Sequence, residues 1–338
     1  MLQAPFDIVG TLGTPSQAEW GCSVTSVAQL QQVLGQIRQR SEPLRWLGDG
    51  SNIVPTAQLS GGIIHLNLRG VAVVDNSERD VLVRAQAGNN WHQFVTHSLQ
   101  QGWHGLENLA LIPGSVGAVP VQNVGAYGVE AGELIETVHV VDISGQVAQI
   151  RQADCGFGYR DSRFKHDPQL AITAVDFRLS RHSAPQADYP DLQQWFNDHG
   201  DLELTPQTLF QAVVAVRQSK LPDPSAYPNV GSFFKNPVVP TKQALRLRHK
   251  HPELKTFPAS TQAEDAGQTK LSAAQLIDLA GGKLAGSAAV YCWPKQPLVV
   301  VNAQRNSAEQ VLNFAAQLQT LVTETFAVEL EIEPQVWR

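Results

Sequence analysis

An α+β protein, with strands and helices interleaved but no run of regular βαβ units, is what this sequence predicts, and three observations predict it. In some stretches apolar residues recur at helical spacing, as at Val27, Leu30, Val33, Leu34 and Ile37. In others they alternate with polar positions, as at Val81, Val83, Ala85 and Ala87. Third, no GxGxxG follows a strand and no GxxxxGK occurs, so neither a Rossmann crossover nor a P-loop is expected. At 338 residues the chain is long enough for two domains of ordinary size.

Taken in order, the first helix opens at the capping candidates Thr25 and Ser26, and a short strand, Leu44–Leu47, runs into Gly48-Asp49-Gly50-Ser51-Asn52. Strands fill 63–87, and a short helix follows over 91–99. The stretch 105–130 is rich in glycine and aliphatics without clean periodicity, too long and too apolar for an ordinary loop in water. Two strands joined by a turn at 142–145 come next, then Phe157-Gly158-Tyr159-Arg160-Asp161-Ser162, then a strand over 171–179. Composition turns polar over 180–204, which places a domain boundary near its end. A helix capped at Thr205, with Pro206 in the favoured first-turn position, is expected to bury Leu209, Val213 and Val216 and to break at Lys220-Leu221-Pro222. Further helices are expected over 272–280, stopped by Gly281, and from the capping-box pattern Ser307-Ala308-Glu309-Gln310 to about Phe326. A buried strand lies between them at 298–301, and a last strand is expected over 328–333.

Composition narrows the function. With 43% hydrophobic and 17% charged residues the chain is globular, not disordered. It has 25 basic and 31 acidic residues, a net charge of −6, and no Lys/Arg-rich run, so no nucleic-acid partner is expected. An anionic substrate must then be held by a few placed cations. Cys22, Cys155 and Cys292 are far apart with no CxxC, and the histidines show no ligand spacing, so neither a metal site nor a disulfide framework is expected. His249 and His251 read as an exposed pair in a basic stretch, and His104 as structural rather than a covalent flavin anchor. The start, MLQAPFDIVG, lacks the charged and apolar regions of a signal peptide, and no apolar run approaches the roughly 18–20 residues of a membrane span. No membrane partner and a cytoplasmic location are therefore expected.

Two glycine-rich segments stand out: 48–52, and Ile112-Pro113-Gly114-Ser115-Val116-Gly117-Ala118 continuing to Gln122-Asn123-Val124-Gly125-Ala126-Tyr127. Without a Cβ, backbone can approach a pyrophosphate closely and aim successive N–H groups at it. Either segment alone is more often a tight turn. Two in one strand-rich region point to a cofactor.

With the residues between the glycines included, the chain resembles the UDP-N-acetylenolpyruvoylglucosamine reductase family. The resemblance is carried by Leu47-Gly48-Asp49-Gly50-Ser51-Asn52, by Gly105-Leu106-Glu107-Asn108-Leu109-Ala110-Leu111-Ile112-Pro113-Gly114 and by Gln122-Asn123-Val124-Gly125-Ala126-Tyr127-Gly128. Phe157-Gly158-Tyr159-Arg160-Asp161-Ser162 and Gly231-Ser232-Phe233-Phe234-Lys235-Asn236-Pro237 complete it over nearly the whole chain. One departure is Gly10-Thr11-Leu12, where the family usually has Asn-Thr-Phe.

The resemblance implies a two-lobed FAD-binding domain of the vanillyl-alcohol oxidase type over 1–200, with lobes 1–68 and 69–200. It implies a C-terminal α/β substrate-binding domain over 201–338, whose last strand is a candidate to return to the FAD domain. Non-covalent FAD is implied at Gly50, Ser51, Asn52, Ile53, Pro113, Gly114, Ser115, Gly117, Ala118, Gln122, Asn123, Gly125, Ala126 and Ile172. NADPH is implied as co-substrate, reducing the flavin and leaving the cleft before the sugar nucleotide binds. Hydride then passes to the enolpyruvyl group of UDP-N-acetylglucosamine-enolpyruvate, giving UDP-N-acetylmuramate in peptidoglycan precursor synthesis. Charge builds on the carbon next to the one that takes the hydride and on the carboxylate, so the site must stabilise it and deliver one proton.

By the same resemblance Ser232 is the proton donor and Arg160 and Glu333 stabilise the enolate, with Tyr127, Tyr189, Arg217, Lys220, Asn236 and Gln296 holding substrate. Tyr189, in Ala187-Asp188-Tyr189-Pro190-Asp191-Leu192, suggests the form of the family with a tyrosine-bearing loop over the nucleotide. Blander readings stand beside these: a turn serine, a surface arginine, a loop aromatic, and for Arg217 and Lys220 cations that only complement a helix dipole. Aligning on the Glu-Pro pair would put Gln335, not Glu333, at the acid position. A monomer is expected. A flavin oxidase of another kind, with a larger cap and covalent flavin, is disfavoured by the motif at Gly231. An FAD-binding module without catalysis is disfavoured by the presence of Ser232 and Arg160.

Overall fold

The computed structural model describes residues 2–182, 184–200, 202–258 and 267–338. Its contacts divide the chain into two compact units, Met1–Phe6 with Ala18–Gly50 and Ser60–Ser219, and Asp7–Gln17 with Ser51–Leu59 and Lys220–Arg338.

In the first unit the helix Val27–Ile37 starts where the Ser26 hydroxyl accepts the Gln29 N–H at 3.1 Å. Its stripe Leu30, Val33, Leu34 and Ile37 packs on Trp20, Cys22, Val24, Ile64 and Leu66. These belong to a sheet ordered Phe6–Asp7, Gln17–Val24, Gln58–Leu66, Leu44–Leu47, whose last pair is parallel. A second, antiparallel sheet is ordered Val147–Arg151, Ile135–Asp142, Leu170–Ser180, Asp80–Gln86, Val71–Asn76.

Val81, Val83 and Ala85 share the buried face of this sheet, as their alternation predicts, with Val138, Val140, Val175 and Phe177. Two helices cover it. Trp91–Gln100 brings Trp91 and Phe94 to 5.8 and 5.3 Å from the Phe177 ring, and Pro206–Lys220 buries Leu209, Val213 and Val216 as expected. The opposite face carries a polar network. Arg84 donates twice to Asp176 at 2.7 and 2.8 Å, and His139 Nε2 lies 2.8 Å from the second carboxylate oxygen. At the 142–145 turn Asp142 accepts the Ser144 hydroxyl and the Gln146 and Ser144 N–H groups, and these bonds, the hydroxyl's first, hold its carboxyl below the ordinary range.

The apolar stretch 105–130 is no ordinary loop. It folds as short 3-10 turns, Glu107–Leu109 and Val116–Ala118, and two-residue strands, and it sends Leu106, Leu109, Ala110, Val116 and Val119 into the core.

The second unit packs the helices Ala273–Leu279 and Ala308–Phe326 on the hairpin of Val290–Trp293 and Gln296–Asn302. Ser272 and Ser307 cap the two helices, and Gly281, at φ +78°, ends the first. A three-stranded antiparallel sheet is ordered Val238–Pro240, Gln268–Leu271, Thr256–Pro258.

Two expectations need correction. Residues 328–333 do not form a strand; they run extended, with Ile332 alone bridging to Phe234. Burial still alternates, with Val328 and Leu330 buried and Glu329 and Glu331 exposed, because the segment rests one face on the core without a full ladder. The last strand is Gln335–Trp337, parallel to Ile53–Pro55. His251 is not exposed: its ring packs edge-on against Phe326 at 5.2 Å.

Candidate active site

In the first unit the two glycine-rich segments meet. A Cβ on Gly48 would lie 2.4 Å from Ser115 Oγ, so the 48–50 turn stands directly against the 114–118 segment. That second segment is strapped to the end of the strand Asp80–Gln86. Gly117 N–H donates to Ala87 O at 2.8 Å, Val116 N–H to Asn89 O at 2.9 Å, and Trp91 N–H to Gly114 O at 2.9 Å. A Cβ on Gly117 would stand 2.6 Å from that of Ala87. Beside them Asp49 has its carboxyl pushed up by burial, which the charges of Arg69 and His65 and a hydrogen bond from Asn90 oppose.

Gly50, Gly114, Ser115, Gln122, Asn123 and Ile172 are buried, Gly117, Gly125 and Ala126 half-buried, and Pro113 and Ala118 exposed. Ser51, Asn52 and Ile53 belong to the second unit. Asn123, at φ +44°, uses its carboxamide within the protein. It donates to Glu130 at 2.6 Å and to Gly158 O at 3.2 Å, and accepts Gly132 N–H at 2.8 Å. The N–H groups of Val116, Gly117 and Ala118 are all taken up by the protein's own carbonyls, so what these segments offer a ligand is a closely packed backbone surface.

A cationic cluster lies in the same unit. Arg160, at the left-handed φ of +54°, donates Nη2 to Gly125 O at 3.1 Å, and Lys165 Nζ donates to the Arg160 carbonyl at 3.1 Å. Tyr127, also left-handed at +51°, shares a hydrogen bond with Arg217. Burial lowers the Arg217 guanidinium below its ordinary value; the Tyr127 phenol works against this and the Arg160 charge adds to it. Arg217 Nε is fully enclosed with no hydrogen-bond partner among the described residues. The Tyr127 ring meets Tyr189 edge-on, 5.5 Å between centroids, and burial raises both phenols. Strained, non-glycine backbone at Leu111, Asn123, Tyr127 and Arg160 is concentrated here, as is common where a site must hold a fixed shape. Two partly desolvated guanidiniums and two phenols suit the phosphates or carboxylate of an anionic ligand.

In the second unit Ser232 lies on an extended run. It bridges to Val299, and Phe233 N–H donates to Leu298 O at 2.8 Å. Phe233 and Phe234 are wholly buried and anchor the run. Gly231 precedes it at φ +72°, its N–H accepted by Asn229 Oδ1 at 2.8 Å. On the other edge Lys235 N–H donates to Glu331 O at 2.9 Å and Glu333 N–H to Phe233 O at 3.0 Å. Glu333 is thus paired opposite the residue next to Ser232. Gln335 is two positions further on, hydrogen-bonded through its N–H to Asn52 O and through its side chain to Trp337. Asn236 Oδ1 accepts Ala273 N–H at 2.9 Å at the start of a helix. Gln296 opens its strand half-buried, and the Lys220 carbonyl accepts the Trp293 indole N–H at 2.9 Å.

Some residues of these clusters were not expected from the sequence. His92 stacks on Phe210 at 5.7 Å and accepts Leu111 N–H on Nδ1 at 3.0 Å; burial first, then the Arg217 charge, lowers its ring below the ordinary value. Asn229 had a usable signal, an asparagine two residues before a glycine. Nothing in the spacing marks His92. Among the described residues no cluster of His, Cys, Asp or Glu could hold a metal, and no helix is long and apolar enough to cross a membrane.

Residues 22–151 match the family described as FAD binding domain, and residues 223–337 match the family described as UDP-N-acetylenolpyruvoylglucosamine reductase, C-terminal domain. The UDP-N-acetylenolpyruvoylglucosamine reductase of Chromobacterium violaceum is 46% identical over 332 residues, covering 96% of this chain and 95% of its own length. That of Pseudomonas putida is 40% identical over 331 residues, 97% and 96% of the two chains. Among solved structures, the UDP-N-acetylenolpyruvylglucosamine reductase of Thermus caldophilus matches all of both chains with a TM-score of 0.66 at 21% identity, a likeness of fold. The expected plan, an FAD-binding domain followed by a C-terminal substrate domain, is present.

Proposed function

The chain belongs to the UDP-N-acetylenolpyruvoylglucosamine reductase family, and from this we infer an FAD-dependent oxidoreductase of peptidoglycan precursor synthesis. It reduces UDP-N-acetylglucosamine-enolpyruvate to UDP-N-acetylmuramate. The observation that carries this reading is the pairing of two separate glycine-rich segments, Gly48 against Ser115, inside the region that matches an FAD-binding domain. NADPH as electron donor, action as a monomer and a cytoplasmic location belong to the same proposal.

FAD, when bound and reduced, supplies the hydride. The chain's own residues have three tasks. Arg217, Tyr127 and Tyr189, with Lys220, Asn236 and Gln296, hold the anionic sugar nucleotide; the enclosed Arg217 Nε and the phenol beside it support this role. Arg160 and Glu333 stabilise the charge that develops on the enolpyruvyl carboxylate. Ser232 Oγ gives its proton to the carbon next to the one that takes the hydride, and the hydroxyl is then restored from solvent. The Glu333–Phe233 hydrogen bond favours Glu333 over Gln335 as the acid, since it keeps residue 333 beside the Ser232 run. We read Tyr189 as the tyrosine of a substrate-binding loop, supported by its edge-on contact with Tyr127.

The test is direct. The purified protein should carry FAD that is released into solution on acid precipitation. NADPH oxidation should accelerate on adding UDP-N-acetylglucosamine-enolpyruvate. A colourless protein that takes up no added FAD would sink the reading.

A further inference from the structure

Asn108 belongs to neither the cofactor nor the substrate set, yet it ties the two tyrosines together. Its side chain is buried, 3% exposed. Its Nδ2 donates to Tyr127 O at 3.1 Å and to Gln186 O at 3.0 Å. Both acceptors are backbone carbonyls, so only the amino group can face them and the amide orientation is fixed. Tyr127 sits in the left-handed region, unfavourable for a bulky residue, and a buried donor on its carbonyl helps to hold it there. Gln186 lies three residues before Tyr189, whose ring stands edge-on to that of Tyr127.

We propose that Asn108 is a positioning residue for substrate binding: its one amino group ties the backbone of Tyr127 to the segment that carries Tyr189 and so sets the spacing of the two phenols. The proposal rests on the substrate role given to those tyrosines above. Asparagine meets the need because it offers two N–H donors on a short, planar arm. Aspartate has the same shape but no donor, and would set a carboxylate against two carbonyl oxygens.

The test is a double-mutant cycle read by UDP affinity, with Asn108→Asp, Tyr189→Ala and the pair, using FAD-loaded protein throughout. UDP binding should weaken roughly tenfold or more in Asn108→Asp, the scale of one lost buried hydrogen bond or two. KM for the enolpyruvyl substrate should rise with it, while kcat at saturation and FAD content hold. In the Tyr189→Ala background the same change should cost little further. Amide exchange over 184–190, which needs no activity, should quicken in Asn108→Asp. Additive losses in the cycle, or unchanged exchange in that segment, overturn the proposal. Wild-type protein that binds neither UDP nor the enolpyruvyl substrate would defeat the functional reading instead, a result the exchange measurement does not depend on. Should Asn108→Asp fail to fold with FAD, Asn108→Ser, which keeps one donor, is put through the same cycle with the same criteria.

Discussion

Ser232 is the proposed proton donor, and its setting makes a clean experiment possible. The run that holds it is anchored by Phe233 and Phe234 and by backbone bonds to Leu298 and Glu333, so removing one hydroxyl should leave the run in place. Loss of a positioned proton donor typically costs about 10²–10⁴ in rate. Ser232→Ala should therefore slow substrate reduction by that order while NADPH still reduces the flavin at nearly the wild-type rate; equal loss in both half-reactions would assign Ser232 to the fold instead. Glu333→Gln should likewise slow substrate reduction far more than Gln335→Ala, measured in the same way. If the Gln335 variant is the crippled one, the acid has been misplaced. The cysteines offer a plainer check. Burial pushes Cys155 and Cys292 up to about 12, and raises Cys22. A thiol reagent near neutral pH should leave all three unmodified in the folded protein and titrate three after denaturation. At this scale the sequence singled out Ser232 and Arg160 because their neighbours form motifs of the family it resembles. It marked nothing at His92 and gave Asn108, though part of a motif, no role of its own, because their partners, Phe210, Leu111, Tyr127 and Gln186, are brought to them only by the fold.

Among the elements, the glycine segments and the central sheet carry the most weight. Gly117→Ala would set a methyl 2.6 Å from the Ala87 side chain, and overpacking of this kind costs about 1–3 kcal/mol. FAD retention through gel filtration should fall and thermal stability with it; full retention would mean that the strap gives way freely. In the sheet, burial works to raise the Asp176 carboxyl, but hydrogen bonds from Arg84 and His139 outweigh it and hold it below its ordinary value. A carboxyl lowered in the folded state contributes stability above its unfolded value, and that contribution is lost as pH falls through the folded one. Asp176→Asn should thus cost about 1–3 kcal/mol near neutral pH, toward the lower end since Arg84 is a third exposed, and the deficit should shrink as the buffer is made acid. A deficit that does not change with pH would mean the network adds only packing. Helices and alternating strands such as 81–87 were legible because one face of each is buried. The 328–333 segment shows the limit of that signal: alternation marks a half-buried extended chain, but only partner strands decide whether a ladder forms, and here Phe234 alone supplies a bridge.

For the molecule as a whole, the residues proposed for the reaction fall in two compact units: Arg160, Tyr127, Tyr189 and Arg217 in the first, Ser232, Glu333, Asn236 and Gln296 in the second. With a net charge of −6 there is no broad positive field, so the few placed cations must do the work of binding an anion. Raising salt should accordingly weaken UDP binding only modestly where Arg217 is enclosed. The central claim is that this chain passes electrons from a reduced flavin to an enolpyruvyl sugar nucleotide, and an anaerobic single turnover tests it most directly. FAD-loaded protein is reduced with one equivalent of NADPH, mixed with UDP-N-acetylglucosamine-enolpyruvate, and followed by flavin absorbance and product analysis. The predicted result is return of the oxidised flavin spectrum with one UDP-N-acetylmuramate formed per flavin. Flavin that stays reduced in the presence of the substrate, or reoxidises without forming that product, would contradict the account.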